Sequence, residues 1–245
     1  MYFFIEFTTI IILIIVQSIF GVGLLLFGTP TLLLLGYDFA NTINILMPVS
    51  IVVSFLQFSR SKITDKKFLV EYNFYCLPFL ALFLFLALNF RYNIDFKFFV
   101  ALLLIISSLL ILNKSRFSSF KTKFFQLKRY VLIIIGSIHG FTNMGGSFLS
   151  IYSTLISKNK KELARYYISY GYLIMGIIQY FIVLFISFKL LSFSKLYYAL
   201  IAILIYLPSQ KIFKNINDKS FSRYINIIAL LYGIIIISSY LIDFN

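Results

Sequence analysis

Long apolar runs separated by short polar segments run through the whole chain. Residues 74–90 and 224–242 contain no charged side chain. Such runs approach the ~20 residues a helix needs to cross a hydrocarbon core about 30 Å thick. Eight apolar blocks follow one another: residues 4–36, 41–58, 68–90, 98–113, 130–157, 166–188, 196–210 and 224–242. No polar stretch between them has the length of a soluble domain. The longest, 114–129, divides the chain into nearly equal halves, 1–128 and 129–245. The pattern predicts an all-α integral membrane protein. Two blocks are broken. The first carries Gly21, Gly23, Gly28 and Pro30, and the fifth carries Gly136, Gly140, Gly145 and Gly146. Helix breakers at membrane depth are tolerated where the freed backbone is buried in protein or lines a cavity.

Composition agrees. The chain is 61% hydrophobic and 12% charged, with a mean hydropathy of +0.96. Soluble domains carry about 25% charged residues, so a soluble fold is excluded. Residues 1–20 hold Glu6 and no Lys or Arg, which reads as mature membrane segment rather than signal peptide. The lone Cys76 lies inside an apolar run and reads as a small core residue. Tyr supplies any interfacial aromatic belt, since Trp is absent.

The net charge of +14 would suggest nucleic acid in a soluble protein. Here the basic residues occupy short loops, where they set membrane orientation, and no nucleic-acid partner is implied. If every block crossed the bilayer, the 22 basic residues would divide 12 to 10. If the first and fifth blocks dip in and return, the division becomes 18 to 4. The positive-inside rule prefers the second arrangement and places loops 59–67, 114–129, 157–165 and 211–223 in the cytoplasm. Each half is then a re-entrant helical hairpin plus three spans. Three is odd, so the second half enters from the opposite side, as an inverted repeat. Gly23 and Gly145 stand 122 residues apart, as do Gln57 and Gln179. Loop lengths elsewhere do not keep that register.

The breaks also carry the candidate chemistry. Gly21, Gly23, Thr29 and Pro30 mark the first; His139, Thr142, Asn143, Gly145, Gly146 and Ser147 mark the second. If each hairpin turns at its glycines, two half-helix N-termini meet near the midplane, and their free N–H groups favour an anion. Close helix packing by small residues is the competing reading. Gln57 and Gln179 lie in the spans that follow. Their amides serve either as oxyanion donors or as interhelical glue. Arg165 reads as a snorkelling interfacial cation rather than a substrate ligand. His139, the single histidine, reads as packed and hydrogen-bonded, although its ordinary pKa would suit proton transfer. No carboxylate lies mid-span, and no nucleotide or metal motif is present. The only candidate for nucleophilic chemistry, His139 with Ser137 or Ser147, lacks a carboxylate to orient it. The chain therefore reads as a transporter and not an enzyme, without a cofactor; its partners are a small anion and the lipid bilayer. An intramembrane enzyme or accessory subunit acting on a lipid or a partner protein is the alternative.

Gly21, Gly23, Pro30 and Leu32 in the first half, with Gly136, Gly140, Gly145 and Gly146 in the second, resemble the glycine patterns of the sulfite exporter TauE/SafE family of bacterial membrane transporters. Leu24 and Leu25 stand where that family often continues with glycine, and Tyr152 where its second half often has proline. The resemblance implies a multi-pass protein of the bacterial inner membrane that moves sulfite, organosulfonates or related anions.

Overall fold

The computed structural model describes residues 2–89, 102, 127–158, 160–187, 195–218 and seven positions between 220 and 238. Apart from single positions, the fourth and eighth apolar blocks lie outside the described residues. Those described are helical, and no strand occurs among them. Helix α1 (Tyr2–Phe20) ends at Gly21, whose φ of 79° no helix continues through; the Gly21 N–H closes the last turn on Gln17 O at 2.7 Å. A second positive φ, 144° at Gly23, reverses the chain into α2 (Leu24–Leu34). Asp38 then caps α3 (Phe39–Ser59) by accepting the Asn41 N–H at 2.9 Å. Asp65 does the same for α4 (Lys66–Tyr75), accepting the Phe68 N–H. The chain bends at Cys76, just before Pro78, and continues as α5 (Leu77–Asn89). In the second half, α6 (Lys128–Thr142) stops at left-handed Asn143, and α7 (Gly146–Ile156), α8 (Lys161–Ser187) and α9 (Tyr197–Asn215) follow.

Among the described residues, three helical stretches are long and apolar enough to cross a bilayer: Phe39–Ser59, Lys66–Asn89 and Lys161–Ile186. Phe4–Phe20 and Leu24–Leu34 are shorter apolar helices. The outward faces are those of a protein dissolved in hydrocarbon: Phe185 is 88% exposed and Leu204 73%. Helices α3 and α8 pack along each other at the centre, with α9 and α1 to one side and α5 against α6 on the other.

Two polar clusters mark opposite roles. Glu6, near the start of α1, accepts from Tyr37 just beyond α2, from Lys195 at 2.6 Å and from Tyr198 at 2.9 Å. The Glu6–Tyr37 bond brings the two ends of the first hairpin together. Burial and the adjacent carboxylate push the Tyr37 phenol up to about 12. In the second hairpin, Lys128 pairs with Glu71 of α4 at 2.6 Å. Tyr167 of α8 donates to Asp65, the cap of the same α4, at 2.7 Å. The start of that hairpin and the helix that follows it therefore both adjoin α4.

The offset of 122 residues extends well beyond two residue pairs. It relates the ends of α1 and α6, both ends of α2 and α7, and the starts of α3 and α8. It relates left-handed Gly21 to left-handed Asn143, and Gly36 (φ 90°) to Lys158 (φ 53°). The C-caps Leu35 and Ser157 have nearly identical dihedrals and bond patterns. The register that the loops obscure is kept without insertion from the end of the first helix to the middle of the third.

Gly136 and Gly140 pack against backbone. A Cβ on Gly136 would lie 2.1 Å from the Cys76 carbonyl oxygen, and one on Gly140 2.3 Å from that of Leu80. These glycines let α6 lie directly on α5, the close-approach role of small residues in membrane helices. Overpacking a core typically costs ~1–3 kcal/mol, and a backbone neighbour yields less than a side chain. Gly136→Val is expected to lower the thermal unfolding midpoint in detergent sharply. A midpoint equal to that of the wild type would show that the two helices stand further apart.

Candidate functional site

The first break is held by amides. Gln57 of α3 donates both amide hydrogens to the end of α1, to Gln17 O at 2.7 Å and Ser18 O at 3.2 Å. Gln17 donates to Ser50 Oγ and Ser54 Oγ, each at 3.1 Å. The second break repeats the arrangement. Gln179 of α8 reaches the His139 carbonyl at 3.5 Å, and its Oε1 lies 3.0 Å from His139 Nε2. An amide oxygen only accepts, so Nε2 carries the proton. Both glutamines therefore perform the interhelical role, tying broken helix ends to the following span.

The half-helices that leave these breaks are uncapped. Neither Gly23 nor Gly145 receives a side-chain cap, so the first N–H groups of α2 and α7 project into the protein core. Gly21, Gly23, Thr29, Pro30, Thr142, Gly145 and Gly146 are all buried. Pro30 lies inside α2, where it removes the helix donor to the Leu26 carbonyl. The side chain of Ser147 lies outside the described residues. Gln57 Oε1, Asn143 Oδ1, His139 Nδ1 and Tyr172 Oη are buried around the breaks without a protein partner. Each tip thus offers backbone donors beside side-chain acceptors, which suits an oxyanion accompanied by water or by its own acidic proton.

Asn143 Nδ2 donates to Thr29 Oγ1 at 3.0 Å, a bond between the two hairpins. Thr29 sits in the middle of α2, so the second tip lies alongside that helix. The two broken segments touch at this bond.

A cavity of about 290 Å³ opens beside the first tip, lined by Gln57, Arg60, Arg165, Tyr206, Gln210 and Lys214 among others. Arg165 was expected at the interface, yet it is only 7% exposed. Its guanidinium lies 4.0 Å from the Phe213 ring centroid and donates to Gln210 Oε1 at 2.5 Å and Tyr206 Oη at 3.4 Å. Acceptors on α9 draw it inward, and no span-by-span reading locates them.

The family model of sulfite exporter TauE/SafE matches residues 7–236. The chain belongs to that family. No curated protein and no solved structure matches it. TauE/SafE is a transporter family, and the apolar helices make this member a multi-pass membrane protein. The matched region contains both breaks and the cavity of this TauE/SafE chain.

Tyr172, which the sequence reading did not single out, occupies the second tip. A Cβ on Gly146 would lie 1.4 Å from its hydroxyl oxygen, so the ring seals the α7 N-terminus. The 122-residue register pairs Tyr172 with Ser50, and His139 with Gln17. That pairing is the signal by which Tyr172 was findable. Gly146→Ala is expected to destabilise the protein, and adding Tyr172→Ala to restore part of the loss. Contacting residues couple by ~0.5–3 kcal/mol in double-mutant cycles. Strict additivity of the two changes in detergent unfolding would show that the ring does not hold this position.

Proposed function

We propose that this TauE/SafE member carries small sulfur-containing oxyanions, sulfite or organosulfonates, across the bacterial inner membrane. The observation that carries the reading is the pair of buried, uncapped 11-residue half-helices at matched positions. Aligned peptide dipoles and free N–H groups stabilise negative charge at such ends without a permanent cation in the membrane interior. In this reading Gly21, Gly23, Thr29 and Pro30 shape one half of the binding region; Thr142, Asn143, Gly145, Gly146 and Ser147 shape the other. Gln57, Gln179 and His139 hold the broken ends. Residues 1–128 and 129–245 are then two repeats of opposite orientation, each a hairpin plus three spans. The constant 122-residue register supports duplication, and the Glu6–Tyr37 bond supports a first hairpin that returns to its own side.

Residues of three basic loops line one cavity: Arg60 and Ser61, Glu162 and Arg165, and Lys214. Lys161 also donates to the Ile216 carbonyl at 2.6 Å. This convergence supports a shared, cytoplasmic location for loops 59–67, 157–165 and 211–223, with 114–129 assigned beside them on charge. An impermeant thiol reagent added outside intact cells should therefore spare Lys62→Cys and Lys160→Cys; labelling of both would overturn the topology.

Purified protein in liposomes should show saturable flux of sulfite or an organosulfonate within a panel that also holds thiosulfate and carboxylates. His139→Gln should keep a measurable fraction of it, because the histidine's bond is to Gln179 and not to substrate. Absence of flux for every anion in the panel would overturn the proposed function.

A further inference from the structure

Arg165 is a buried charge in the wall of the cavity. A buried guanidinium is normally paired, because removing it from water costs several kcal/mol. Among the described residues Arg165 forms no ion pair. Its two hydrogen bonds both come from Nη2, so Nη1 and Nε have no acceptor among those residues. A guanidinium has five N–H donors in a rigid fork, and most of this fork is unused. The arrangement is nevertheless fixed. Gln210 is anchored through Nε2 to Ser18 O at 3.1 Å, and Tyr206 donates to Leu56 O at 3.1 Å.

The cavity supplies what the side chains lack. Three cations, Arg60, Arg165 and Lys214, line it with a single carboxylate, Glu162. Its volume of about 290 Å³ is at the small end for ligand pockets, suited to a small solute. It also adjoins the first tip: a Cβ on Gly21 would lie 3.5 Å from Arg165 Cγ and 3.8 Å from Gln57 Oε1.

The 122-residue register does not repeat these arginines. It places Ile43 where the second half has Arg165, and Ile182 where the first half has Arg60. The polar cluster around Glu6 pairs its carboxylate with Lys195 and two tyrosines. A duplicated scaffold has acquired a cationic chamber at the mouth formed by its basic loops.

We infer that this cavity is an oxyanion-binding vestibule, in which the free edge of the Arg165 fork, assisted by Arg60, holds a small soluble oxyanion beside the first half-helix tip. The inference rests on the anion-transport reading and adds a loading site to it. Arg binds two oxygens of one acid group through paired N–H bonds, a match for sulfite, sulfonate or carboxylate. A site at one mouth raises occupancy from that face and leaves the transport equilibrium unchanged, since binding alone does not alter the free energy of the anion on either side.

The test is calorimetric titration of sodium sulfite into the purified full chain in detergent, with sulfite flux into liposomes followed in parallel. Arg165→Gln and Arg60→Gln should each weaken binding at least tenfold, and Lys62→Gln, on an exposed loop outside the cavity, should leave it unchanged. Arg165→Lys should fall between, since it keeps the charge and loses the fork. If Arg165→Gln does not fold, Arg60→Gln and Arg165→Lys decide. Wild-type affinity in the folded cavity variants would overturn the vestibule while intact flux left the transport reading standing. A separate titration with phosphatidylglycerol covers the other source of an acid group. Binding of that lipid at Arg165 without competition from sulfite would overturn the proposal as well.

Discussion

A backbone that breaks inside a bilayer must find its hydrogen bonds within the protein, because lipid supplies none. The helix ends that enter the two breaks answer that demand. The carbonyls at the end of α1 are met by Gln57 and Gln210, from two different helices. The last turn of α6 is met by Gln179. A neutral carboxamide does this at far lower cost than a charged group at the same depth. The central packing of α3 on α8 follows, since these helices carry the two glutamines that the breaks require.

Much of this was legible in the sequence. Glycine clusters located both breaks. The pairing of Gln57 with Gln179 was visible as a spacing, and the structure gives it a cause. What escaped was the choice of partners across helices. Arg165 looked interfacial because its position along α8 is near the end; its burial depends on Tyr206, Gln210 and Phe213, which no local pattern connects to it. Gly136 and Gly140 resembled the glycines of the break, yet they are packing residues, and only the neighbouring α5 backbone separates the two roles.

The two halves keep geometry and vary chemistry. Left-handed Gly21 corresponds to left-handed Asn143; asparagine tolerates that conformation and adds an amide, which reaches Thr29. Gln17 with Ser50 and Ser54 corresponds to His139 with Tyr172 and Gly176. The first tip adjoins open, polar, cationic space, whereas an aromatic ring closes the second. Equivalent backbone scaffolds thus present unequal surfaces to whatever passes between them.

The contact of α6 with α5 has a mechanical consequence. Where a helix rests on its neighbour's carbonyls at Gly136 and Gly140, sliding by even one residue drives a side chain into backbone, so the pair translates and tilts as one piece. At the seam between the hairpins the Asn143–Thr29 bond is of another kind, a polar contact worth about 1 kcal/mol net. A strut anchored at its base and lightly latched at its tip bends at the latch.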